Sequence, residues 1–186
     1  MRIFLISVIV AGGLGGMATA SGLYFETRDS FCAACHTQPE TMYYERSVDA
    51  RSDGIDLASF HHLEERTRCI DCHGGVGLQA RLETLVLAAG DMLQFATGRY
   101  QQPAMMSQPL ANPNCRQCHD EVVIREGFEN HFHNLTDDSE APLILCAACH
   151  ISHQEGDKRS FFVREDNLYP SCNLCHDVMG GPSELQ

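Results

Sequence analysis

Apolar residues gather in two long runs and elsewhere in short, interrupted clusters. From Ile3 to Phe25 twenty-three residues pass without a charge, between Arg2 and Glu26. At about 1.5 Å per helical residue such a run matches a hydrocarbon core of about 30 Å, which predicts one N-terminal transmembrane helix. Arg2 and the α-amino group orient Met1 to the cytoplasm, and Tyr24 and Phe25 sit where an interfacial aromatic belt lies. The rival is a cleaved signal peptide, because Ala18-Thr19-Ala20 has the form of a cleavage site and Ile3–Ala11 the length of its apolar region. Apolar character continuing through Leu23 favours the uncleaved anchor. The second run keeps a different period. Leu78, Leu82, Leu85, Val86, Ala89, Leu93 and Ala96 recur at helical spacing, predicting an amphipathic helix from Gly77 to Thr97 with Gly98 as its cap. Another helix is expected over Glu121–Phe132, a solvated loop over Asp137–Glu140 and a loose tail over Met179–Gln186. No segment alternates with the strand period of two.

The polar intervals carry the chemistry. Cys32–His36 reads CAACH, and the same grammar returns as Cys69–His73 (CIDCH), Cys115–His119 (CRQCH), Cys146–His150 (CAACH) and Cys172–His176 (CNLCH). C-x-x-C-H is the c-type haem attachment pattern. Two thiols a short turn apart bond to one macrocycle, and the next His lies under its iron as proximal ligand. The paired thiols are Cys32/Cys35, Cys69/Cys72, Cys115/Cys118, Cys146/Cys149 and Cys172/Cys175, which uses all ten cysteines. Structural zinc sites pair two C-x-x-C units, and five is odd; zinc also gives no reason for a His after every second Cys. A thioredoxin-type motif appears once beside a βαβ pattern. A disulfide framework does not repeat one spacing five times. Five covalently bound haem c groups follow. The expected fold is therefore mainly α with long loops, a haem-dominated core and one N-terminal transmembrane helix.

Charge narrows the partners. The formal net charge is −12 and Lys158 is the single lysine, so no basic face for nucleic acid is expected. Covalent haem attachment and the N-terminal run together place the chain on a bacterial cytoplasmic membrane, single-pass, with its haem domain in the periplasm.

Five histidines lie outside the motifs: His61, His62, His131, His133 and His153. Five irons and five spare imidazoles permit bis-histidine ligation throughout, which closes both axial positions and suits electron transfer. His61 and His62 point about 100° apart on a helix and can serve different irons. His153, three residues beyond a proximal His, is the plainest distal candidate.

The order of these features resembles the NapC/NirT family of quinol dehydrogenases, which includes the small subunit of cytochrome c nitrite reductase. Anchor, first motif, His pair, CIDCH, helix, CRQCH, His131/His133, CAACH and His153 follow in that order over about residues 1–155. The resemblance implies a tetrahaem domain (26–155) behind an anchor (1–25), taking electrons from quinol near the first haem and passing them to a periplasmic reductase or cytochrome. It also implies Met42 as a possible ligand of that haem, although Met42 stands farther from His36 than is usual. Where family members place a Lys and an acid for quinol, this chain has Arg81 and Asp91; Arg stays charged and orients rather than accepts protons. Asp91 is then the candidate proton acceptor, with Asp29 and Glu26 as reserves. The fifth motif, in 156–186, lies beyond the family pattern. Two other readings stand beside quinol-linked transfer: a small reductase with an open haem site acting on a nitrogen or sulfur oxyanion, and a cleaved electron shuttle.

Overall fold

The computed structural model describes residues 2–49, 54–104, 106, 109–119, 133 and 144–180. Helices α1 (Arg2–Phe25), α2 (Asp29–Cys35), α3 (Glu40–Asp49), α4 (Leu57–Glu65), α5 (Cys69–His73) and α6 (Gly77–Ala96) follow in order. Then come α7 (Asn112–Arg116), α8 (Cys146–Cys149), a 3₁₀ turn (Lys158–Ser160) and α9 (Glu165–Met179). Among the described residues the one β feature is an isolated antiparallel bridge between His150 and Val163.

Local chemistry sets the boundaries. Asp56 opens α4 with a reciprocal cap: its Oδ1 accepts Ser59 N–H at 2.8 Å, and Ser59 Oγ accepts Asp56 N–H at 3.1 Å. Arg66 closes that helix in the left-handed region, φ 55°, its N–H bonding His62 C=O at 2.9 Å. Asp71 caps α5 by accepting Arg68 N–H at 2.8 Å. Pro113 stands in the first turn of α7, where its missing N–H costs nothing. The apolar period of α6 gives a helix from Gly77 to Ala96, with Thr97 as the cap and Gly98 following at φ 68°. Its apolar side chains Leu78, Leu82, Val86, Leu87, Met92 and Leu93 are exposed.

The chain's own core is small and centres on α4. Asp56, Ser59 and Phe162 are the fully buried side chains among the described residues, and the Phe162 ring lies 5.4 Å from Phe60. Two backbone bonds tie the 152–156 loop to the start of α4: Ala58 N–H to Ser152 C=O and Gly156 N–H to Ile55 C=O, both 2.9 Å. Gly54 must be glycine here, since a Cβ would stand 2.3 Å from the Phe60 backbone.

The expectations of a transmembrane fold and of a single-pass location in a cytoplasmic membrane are corrected. Among the described residues no helix is long and apolar enough to cross a membrane. In α1 the described apolar side chains are diluted by Gly12, Gly13, Gly15, Gly16 and Gly22 and by the hydroxyls of Thr19 and Ser21. The expected haem-dominated core is corrected too: what the structure holds is a helical chain in which no group of three or more His, Cys, Asp or Glu could grip a metal ion, among the described residues. The expected helix over Glu121–Phe132 and the loop over Asp137–Glu140 lie outside the described residues. Of the expected tail over Met179–Gln186, Met179 belongs to α9, and residues 181–186 lie outside the described residues.

The motif-bearing helices touch one another in sequence order. α2 packs on α5, α5 on α7, α7 on α8 and α8 on α9. That series positions the site.

Candidate redox centres

Each motif is built on one helical turn. His36 N–H bonds Cys32 C=O at 3.0 Å, His119 N–H bonds Cys115 C=O at 3.0 Å and His150 N–H bonds Cys146 C=O at 2.9 Å. The turn brings the thiols and the imidazole of one motif close together, as one ligand set requires. The second motif forms α5, and the fifth sits inside α9. The Cys175 side chain lies outside the described residues.

Side chains staple consecutive motifs together. Asp29, three residues before Cys32, accepts the backbone N–H of Cys69 on its Oδ1 at 2.9 Å. Asn112, three residues before Cys115, does the same for Cys146 at 2.8 Å, while its Nδ2 donates to Ile144 C=O at 2.8 Å. The first motif thus caps the helix of the second, and the third caps that of the fourth. Gln117 Nε2 links the two halves, donating to Asp71 C=O at 2.8 Å. The thiols follow the same pairing. Hydrogen bonding between Cys32 and Cys69 pushes the first pKa down and the second up, and Cys146 and Cys115 divide in the same way. Sequence reasoning held Asp29 only as a reserve acid and missed Asn112 and Gln117. The signal was present: a side-chain acceptor three residues ahead of the first Cys in motifs one and three.

The histidines pair across the chain. His119 faces His61 with Nε2 to Nε2 at 3.5 Å and rings 82° apart. His73 and His153 have parallel rings, 5° apart in plane, with centroids separated by 6.2 Å. His150 and His133 are 13° apart in plane, with centroids separated by 6.3 Å. Every pair joins one motif histidine to one histidine from outside the motifs. A metal–imidazole bond is about 2 Å long, so two in line place nitrogens about 4 Å and ring centroids about 6 Å apart. The separations fit an iron held between the two rings. A three-ligand cluster would suit zinc; a haem iron takes only a pair of axial side chains.

Comparison with known families, curated proteins and solved structures finds no match. The geometry stands by itself.

Hydrogen bonds prepare several of these rings as ligands. The Nδ1 of His61 meets Leu57 C=O at 2.8 Å, that of His62 meets Thr67 C=O at 3.0 Å and that of His150 meets Phe161 C=O at 2.8 Å. A carbonyl accepts only, so each Nδ1 carries the proton and each Nε2 keeps its lone pair. Lost hydration lowers the pKa of His73, His119, His133 and His153, which likewise favours neutral rings.

The remaining candidates are placed as follows. His62 stands at the junction of the first two motifs, its Nδ1 3.8 Å from Asp29 Oδ2. His131 lies outside the described residues. His176 is half-buried in α9, its Nδ1 without a hydrogen-bond partner among the described residues. Met42 lies in the first turn of α3, just beyond the cis Gln38-Pro39 bond. Arg81 and Asp91 are not brought together. Ten residues apart on α6, they stand about 15 Å apart along the axis, and Arg81 pairs instead with Glu26 while donating to Gly74 C=O at 3.3 Å. Asp91 is exposed.

Proposed function

We propose that this chain is a multihaem cytochrome c that relays electrons along its five motifs between a donor and a protein redox partner. The observation that carries the reading is the pairing of His73, His119 and His150 with His153, His61 and His133. Haem bound in such bis-histidine sites exchanges single electrons without opening a coordination position. The chain's own residues would do the positioning. The motif turns aim thiols and proximal rings, the Nδ1 bonds fix the rings of His61, His62 and His150, and Asp29, Asn112 and Gln117 hold neighbouring motifs at constant spacing. The donor implied by the resemblance is quinol or a quinol-oxidising complex, and the fifth motif, at the far end of the series, is the natural exit.

The test is haem stoichiometry together with reduction. Intact mass and the pyridine haemochrome should give five haems per chain, and a quinol analogue should reduce the protein, directly or through its native partners. A chain that matures with no thioether-bound haem would sink the reading. His36 enters none of the three ring pairs described above, which favours one second reading, a reductase with an exchangeable site at the first motif. Carbon monoxide binding to one ferrous centre, with turnover of a nitrogen or sulfur oxyanion, would decide for it.

A further inference from the structure

We infer that Tyr43 and Arg46 of α3 are positioning residues for His153, setting the plane of its ring and, with Asp56, the potential of the iron it shares with His73. This rests on the haem reading above. His61 and His150 are oriented by Nδ1 bonds to backbone carbonyls. His153 is not: its Nδ1 is buried and has no hydrogen-bond partner among the described residues. Something else must fix the ring, and Tyr43 does, stacked on it at 4.3 Å between centroids and 9° in plane. One turn along α3, Arg46 fixes the backbone of the same residue, Nη1 donating to His153 C=O at 3.4 Å. Arg46 is itself held by Asp56 Oδ2 at 3.4 Å and Glu155 Oε1 at 3.1 Å, with Asp56 only 1% exposed. Ring and backbone at this ligand both trace to α3, and the local charge is shared between Arg46 of α3 and Asp56 at the cap of α4.

Two consequences follow from chemistry. In a low-spin ferric centre the angle between the axial ring planes governs the anisotropy of the electron spin. The near-parallel His73/His153 pair should therefore give a signal distinct from that of the near-perpendicular His61/His119 pair. Charge near the iron also shifts its potential: a lost cation favours the ferric form, and a lost anion favours the ferrous form.

The experiment uses the full-length haem-loaded chain, with paramagnetic resonance and optical redox titration. The His153→Ala variant identifies the signal and midpoint belonging to this centre. Tyr43→Ala should move that same signal, while Tyr43→Phe, which keeps the stack, should leave it in place. Arg46→Gln should lower the midpoint of that centre, and Asp56→Asn, which retains the helix cap, should raise it. Unchanged spectra and midpoints in Tyr43→Ala and Arg46→Gln, or movement of a different centre, would overturn the inference. If Tyr43→Ala fails to accumulate, the opposite shifts of Arg46→Gln and Asp56→Asn decide it alone. A wild-type chain without haem would overturn the haem reading itself, a result visible before any variant is made.

Discussion

His153 shows how much one residue carries here. Burial holds its pKa below the usual histidine value of 6.5. With the folded pKa depressed, the unfolded chain binds more protons just below pH 6.5, so stability rises with pH through that window. It is complete above about 6.5 and is lost as acid carries the pH down toward the folded value. Thermal melts at pH 7 and pH 5 should therefore show a lower midpoint in acid, and His153→Gln should flatten the difference. An unchanged slope in that variant would assign the acid sensitivity to other groups. Phe162, the one fully buried apolar side chain among the described residues, makes the second point at this scale. Phe162→Ala empties the contact with Phe60 beneath α4 and should cost about 3–5 kcal/mol, read by denaturant unfolding. Because α4 carries His61 and His62, the same variant should loosen the His61/His119 pair.

At the scale of elements the design is a short helical turn used five times, and the second and fourth turns are finished by the motif before them. A helix as short as α8, Cys146–Cys149, cannot hold itself together by propagation, since nucleation costs more than one turn returns. Asn112 supplies the missing acceptor from the preceding motif, and Asp29 does so for α5. Asn112→Ala should cost about 1 kcal/mol, and Asn112→Asp should not restore it in full, because Asp keeps the acceptor for Cys146 but turns a carboxylate oxygen on Ile144 C=O where Nδ2 donated. Asp29→Ala should behave alike at the other motif pair, with effects that add because the two caps share no partner. Differential scanning calorimetry of the two single variants and the double variant checks both statements. The motifs, the α6 helix and the list of spare histidines were legible in the sequence, because spacing and periodicity are local properties. The staples and the ring pairs were not, because His73 meets a residue eighty positions away and His119 one fifty-eight positions before it. The spacing of the two quinol candidates was not legible either. Arg81 and Asp91 are close in sequence, yet a rigid helix holds them apart and offers Arg81 a nearer carboxylate in Glu26. The N-terminal span is corrected by a different finding: among the described residues no helix is long and apolar enough to cross a membrane.

Across the whole molecule, order in sequence has become order in space. α2, α5, α7, α8 and α9 touch in succession, so a carrier at each motif would have its nearest neighbours at the motifs before and after it. Such a series has a middle, and removing its middle differs from removing its end. Cys115→Ser with Cys118→Ser takes the third attachment away between α5 and α8 while leaving the Asn112 staple to Cys146 in place. Cys172→Ser with Cys175→Ser takes away only the last. Both should lower the mass by one haem. Under a donor that delivers to the first motif, the middle variant should reduce in two separated phases, a fast one for the near side of the gap and a slow one beyond it. The end variant should keep a single fast phase of smaller amplitude. Dithionite, which reaches every exposed centre from solution, should show no such split in either variant. Fast, single-phase reduction of the middle variant by the donor would mean that electrons enter at several points, and the series in space would then be packing rather than a path.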